Sequence, residues 1–212
     1  MPTFTKSEIK LYSSLNNPAL IQNYLNSLKF QIIGDNDTCA SPRTVIQNQT
    51  AQCMEGAMLA SSILRFHGHK PLILDLTATD EDADHVVALF KINKCWGAIS
   101  KTNHGVLRYR EPIYKSIREL VMSYFHEYFL QTNRQKTLRT YSRPVNLARF
   151  DHLNWETNNQ PNWFIPEYLT TVSHIPILTK TQIKNLRLAD EIEVKMANIE
   201  EWPNSNGSSS VA

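Results

Sequence analysis

Cysteine is scarce in this chain: Cys39, Cys53 and Cys95 are the three among 212 residues. So sparse and odd a set builds no disulfide framework and points to a reducing compartment. An excess of one charge is also missing. Lys and Arg total 22 against 20 for Asp and Glu, a net charge of +2, which argues against broad electrostatic binding to nucleic acid or to an anionic membrane. Long apolar runs are absent. Leu72-Ile73-Leu74 and Val86-Val87-Ala88-Leu89-Phe90 are far too short to span a bilayer. The opening Met1-Pro2-Thr3-Phe4-Thr5-Lys6 has no apolar stretch behind it, so no secretory signal is expected and the cytoplasm is the expected compartment. No internal repeat stands out, and no Cys-x-x-Cys or His-Glu-x-x-His accompanies His67-Gly68-His69. Neither a metal nor a cofactor is therefore expected. What is present is apolar material: 42% hydrophobic against 20% charged residues, enough for a packed core and incompatible with wholesale disorder.

The pattern along the chain predicts one α+β domain over residues 1–203 and a mobile tail over 204–212. Residues 1–34 form a helical N-terminal region. Ser7 is read as one cap and Asn17-Pro18 as the opening of a second helix. Residues 35–49, rich in Asn, Asp, Thr and Gln, read as a loop. Thr50 is read as the cap of a helix over 51–67 that Gly68 stops. On that helix Cys53, Ala57, Ala60 and Leu64 share one face, and the small residues allow close packing on a sheet. Strands follow over 72–76, 85–92 and 95–100, the last two joined by a turn at Asn93-Lys94. The apolar spacing of Ile113, Ile117, Leu120, Val121, Tyr124 and Tyr128 predicts another helix from Glu111. Residues 130–203 form a C-terminal extension, with an ordered loop over 154–166 and a polar helix over 179–201.

Cys53 is the residue with chemical promise. Early in a helix, unpaired N–H groups and the dipole favour a thiolate, so a lowered thiol pKa is expected. A thiol nucleophile also needs an imidazole, and His85 begins a strand that can return to the helix end. With Asn93-Lys94 as the turn, Ile92 pairs with Cys95 and Val87 with Ser100, which puts Ser100 on the sheet face of His85. Arg and Tyr residues over 108–149 interleave, but several arginines have acidic neighbours, so a nucleic-acid surface is not expected.

Four stretches resemble the transglutaminase-like superfamily of papain-related thiol enzymes. They are Ala51-Gln52-Cys53-Met54-Glu55-Gly56-Ala57, His67-Gly68-His69-Lys70-Pro71, Asp84-His85-Val86-Val87-Ala88 and Cys95-Trp96-Gly97-Ala98-Ile99-Ser100. The resemblance spans roughly residues 44–104. It implies a papain/transglutaminase-like core whose central helix carries Cys53 at its N-terminus and packs on an antiparallel sheet, with extra helices at both ends. It further implies Cys53 as nucleophile, His85 as base and position 100 as the group that orients the imidazole. Position 100 is Ser where the family has Asp, and Asn103 is a second candidate for that role. Gln47, six residues before Cys53, matches the oxyanion-hole Gln of papain-like enzymes, with Gln49 and Gln52 as competitors. The implied activity is hydrolysis of a carboxamide or peptide bond, or transfer of its acyl group, on a peptide, protein or small carboxamide substrate. The alternative is a binding module that keeps the fold and has lost activity.

Overall fold

A computed structural model describes residues 3–31 and 38–201; the predicted tail over 204–212 lies outside them. The chain is α+β. Helices α1 (Lys6–Ser14) and α2 (Pro18–Ser27) lead to β1 (Lys29–Phe30), α3 (Pro42–Asn48) and β2 (Thr50–Ala51). The central helix α4 (Cys53–Phe66) precedes β3 (Leu72–Thr77), β4 (His85–Ile92), β5 (Cys95–Ile99) and β6 (Arg110–Tyr114). Then come α5 (Ile117–Met122), β7 (Thr140–Ser142), β8 (Val145–Asn146), α6 (Phe164–Thr171), β9 (His174–Pro176), α7 (Lys180–Lys184) and α8 (Glu191–Ala197). The main sheet runs β6-β5-β4-β3-β7-β9 and its pairings are antiparallel.

Residues 54–64 of α4 are all buried, the signature of a helix enclosed by its fold rather than lying on a surface. Side chains alternate across each strand. Ile73, Val86, Ala88, Phe90 and Ile99 therefore pack with α4 in one core. Leu74, Leu76, Val87, Leu89 and Ala98 pack on the opposite face with Leu120, Tyr124, Tyr128 and Leu138 in a second. Gly68, at φ 87, ends α4. Its N–H donates to the Arg65 carbonyl, and the His69 N–H to that of Leu64, the paired bonds of a Schellman stop. Asn93 and Lys94 both have positive φ, as a type I′ hairpin turn requires. Ile92 faces Cys95 and Ala88 faces Ile99, the register expected from the sequence.

Several expectations are corrected. Thr5, not Ser7, caps α1 through a capping box with Glu8. Ser41 and Pro42 open a helix inside the segment read as a loop. Thr50 does not cap α4, because residues 50 and 51 pair in parallel with residues 29 and 30. Gln52 takes that place, accepting from the Met54 N–H while Glu55 accepts from the Gln52 N–H. The helix expected from Glu111 is first an edge strand, β6. Its half-buried and exposed residues alternate, and Trp96 pairs with Tyr114, so period 2 prevails over the i, i+3, i+4 spacing. The polar helix over 179–201 is two short helices, each with its own capping box. In the 154–166 segment Trp155 is buried and Trp163 is exposed.

Candidate active site

Cys53 is the first residue of α4 and lines a cleft of about 440 Å³ with Met54, Asp75, Thr77, Asp84, Val86, Leu169 and His174. Its sulfur lies 3.4 Å from Gln52 Oε1. Burial pushes the thiol up to about 11, against hydrogen bonds from the Val86 and Met54 backbone that pull it down, while Asp75 and Glu55 add to the rise. This reverses the expected lowered thiol pKa: desolvation outweighs the helix N-terminus. Burial pushes Cys39 further, to about 12.

His85 opens β4 on the face of Val87 and Leu89, opposite Val86. Its Nε2 lies 2.7 Å from Ser100 Oγ. That hydroxyl donates its one proton to the Leu107 carbonyl at 2.5 Å, so it must accept from Nε2–H. Neutral His85 is thereby fixed as the Nε2–H tautomer, with a bare lone pair on Nδ1. Burial, with His104 and Arg110 nearby, depresses the imidazole to about 4, so at pH 7 it is uncharged.

The relay is well held. Gln22 from α2 grips the Ser100 backbone from both sides, accepting from its N–H at 2.9 Å and donating to its carbonyl at 2.8 Å. Leu107 sits at φ 58, a left-handed conformation costly for a branched residue. Its N–H donates to Glu127, which Arg110 in turn holds at 2.6 Å. Sequence reading missed Gln22, Leu107 and Glu127.

It also missed a second imidazole in the cleft. His174 Nε2 lies 3.0 Å from Asp75 Oδ2, and its Nδ1 lies 2.8 Å from the Val172 carbonyl. A carbonyl only accepts, so Nδ1 carries a proton, and Nε2 and Asp75 hold one more between them. His174 therefore has no nitrogen left to take a proton from a thiol. Burial raises Asp75, and His174 opposes that rise. One signal was legible: Asp75 is the lone charge in Leu72-Ile73-Leu74-Asp75-Leu76, and a carboxylate in such a run needs a partner.

The structure brings His85 and Ser100 together and sets Cys53 against the backbone of Val86, the next residue along β4. Among the described residues no hydrogen bond joins Cys53 to His85. Asn103 is buried and its carbonyl accepts from the Glu201 N–H at 2.7 Å, while it is Ser100 that is hydrogen-bonded to the His85 ring. Gln47 is exposed on α3 and is not among the cleft residues; it is Gln52 that adjoins the thiol, with its Nε2 donating to the Thr38 carbonyl.

Among the described residues no group of His, Cys, Asp and Glu is arranged to hold a metal ion, and no helix is long and apolar enough to cross a membrane. Neither a family model nor a curated protein matches the chain.

A thiol near 11 has a consequence for reactivity. At pH 7 only about one molecule in ten thousand carries a Cys53 thiolate, against a few per cent for a free cysteine. Carbamidomethylation of Cys53 in the free protein is expected to be slower than that of a small thiol at pH 7. It should rise about tenfold per pH unit across neutrality. Peptide mapping after short iodoacetamide pulses measures this; a rate that levels off below about pH 8 would contradict the burial argument.

Proposed function

We propose that the chain is a thiol enzyme of the transglutaminase-like, papain-related kind, with Cys53 as nucleophile and His85 as general base. The observation that carries this reading is the His85–Ser100–Leu107 relay. It leaves Nδ1 as an unprotonated acceptor on the residue next to Val86, whose backbone meets the thiol. Both groups are neutral at rest, so the proton moves during attack rather than beforehand. The Cys53 sulfur bonds to the carbonyl carbon of a carboxamide while His85 Nδ1 takes the thiol proton. The C–N bond then breaks, and the amine leaves with that proton. Water adds to the thioester, His85 again holding the proton in transit, and releases the carboxylic acid and the thiol. An amine in place of water gives acyl transfer. The Cys53 N–H, at the open end of α4, is suited to receive the oxyanion. Asp75, His174, Thr77 and Asp84 are polar residues lining the cleft, and Met54, Val86 and Leu169 are among its apolar ones.

The raised thiol favours a second reading, a binding module with little or no activity. Acid-quenched intact mass after incubation with a mixture of glutamine- and asparagine-containing peptides separates the two. An enzyme is expected to show a hydroxylamine-labile acyl adduct on Cys53 that disappears in Cys53→Ser. Retained peptide with no adduct at any pH would leave the binding module.

A further inference from the structure

A second groove, of about 550 Å³, lies on the other side of the segment that ends α6. It is lined by Arg143, Asn146, Arg149, Tyr168, Thr171 and Ser173 among others, and no Asp or Glu is among its walls. Thr170 and His174 face the Cys53 cleft, whereas Thr171 and Ser173 face this groove. The two arginines stand apart from the rest. Arg43, Arg65, Arg108, Arg110, Arg134 and Arg187 each pair with a carboxylate. Arg118 and Arg139 donate to backbone carbonyls. Among the described residues Arg143 and Arg149 have no acidic partner. Arg149 is nevertheless held in place. Its guanidinium stacks 3.8 Å from the centre of the Tyr168 ring and bonds to the Tyr168 hydroxyl. Stacking orients a planar guanidinium and leaves its remaining N–H groups free for a ligand. Arg143 sits in the turn between β7 and β8, its backbone N–H anchored to the Ser173 carbonyl. Asn146 accepts the Ala148 N–H through Oδ1, which leaves its amide donors available.

We propose that this groove binds a phosphate monoester. Two guanidiniums without a compensating carboxylate call for a ligand of about two negative charges. A phosphate monoester carries about −1.5 to −2 at neutral pH, with three strong acceptor oxygens. The guanidinium forks match those oxygens in pairs, and the Asn146 amide and Ser173 hydroxyl supply further donors. A phosphodiester, with one charge, matches less well. The phosphate could come from a small phosphorylated metabolite or from a phosphorylated side chain. This site does not depend on the chemistry assigned to Cys53.

Calorimetric titration of the full chain with phenyl phosphate, a phosphoserine peptide and succinate tests the proposal. Saturable binding of phenyl phosphate is expected, tightening as pH rises through about 6, where the second proton leaves. Arg143→Gln and Arg149→Gln should each weaken it about tenfold or more, and Arg149→Lys should weaken it too, since an ammonium has no fork. Both arginines are exposed, so the melting temperature should not move. Equal affinity for phenyl phosphate and the peptide supports a free phosphate compound as the source; tighter peptide binding supports a phosphorylated side chain. Succinate binding as tightly as phenyl phosphate would overturn the phosphate assignment. Unchanged affinity in the double Gln variant, or no saturation at millimolar phenyl phosphate, would overturn the site.

Discussion

Acylation of Cys53 is expected to fall by about 10²–10⁴ in His85→Ala, the range lost when a general base is removed. Ser100→Ala should cost far less, about tenfold, because it deletes a neutral hydrogen bond worth roughly 0.5–1.5 kcal/mol. His85→Gln is the variant that guards against misfolding, since it keeps an N–H for Ser100 Oγ but offers no basic nitrogen. The same residue has a signature in stability. Folded His85 accepts a proton only near pH 4, whereas an unfolded histidine does so near 6.5. Between these values the unfolded chain holds a proton that the folded chain refuses. Stability is therefore full above about pH 6.5 and falls as pH drops toward 4, by ~1.4 kcal/mol per unit and ~3 kcal/mol in all. Urea midpoints across that range should show the slope in the wild type and lose it in His85→Gln. An acylation rate unchanged in both variants would remove His85 from the mechanism.

Gly56→Ala should destabilise the fold by about 3 kcal/mol or more, the upper end for forcing atoms into a packed interior. A Cβ at position 56 would lie 2.3 Å from the Cβ of Lys101 and 3.1 Å from its Cγ. The clash is with the root of the side chain, so rotation of the lysine cannot relieve it. Nor can Lys101 move away cheaply. It is buried, and its Nζ donates to the Leu25 and Leu28 carbonyls at the end of α2, where a cation also suits the helix dipole. Burial holds its ammonium down to about 8. Lys101→Ala should fail to rescue Gly56→Ala, because it keeps the Cβ and abandons the α2 carbonyls. Denaturation midpoints measure both; a Gly56→Ala protein as stable as the wild type would show that α4 can withdraw from Lys101.

Much of the central unit was legible because its signals are local. A helix with small residues on one face, a glycine able to adopt positive φ at its end, and an apolar hairpin about Asn93-Lys94 are written within a few residues of one another. Register then follows by counting, and it is this counting that put Ser100 beside His85. The errors arose where two local patterns competed. Residues 110–128 fit helical spacing on their apolar positions alone, yet β5 offers a free edge, and pairing Trp96 with Tyr114 turns the first part into a strand.

By itself the sequence determined the order of elements around α4, the pairing of β4 with β5 and the contact of His85 with Ser100. These rest on periodicity, turn geometry and chain proximity. Only the tertiary structure decided the protonation states and the partners. Cys53 is held up rather than down because burial, set by everything packed around α4, outweighs the dipole of the helix it starts. Asp75 meets His174 across 99 positions and Gln22 meets Ser100 across 78, separations at which no local rule operates. Those contacts exist because α2 packs against the end of β5, and β9 reaches the cleft only after β7 has joined the sheet.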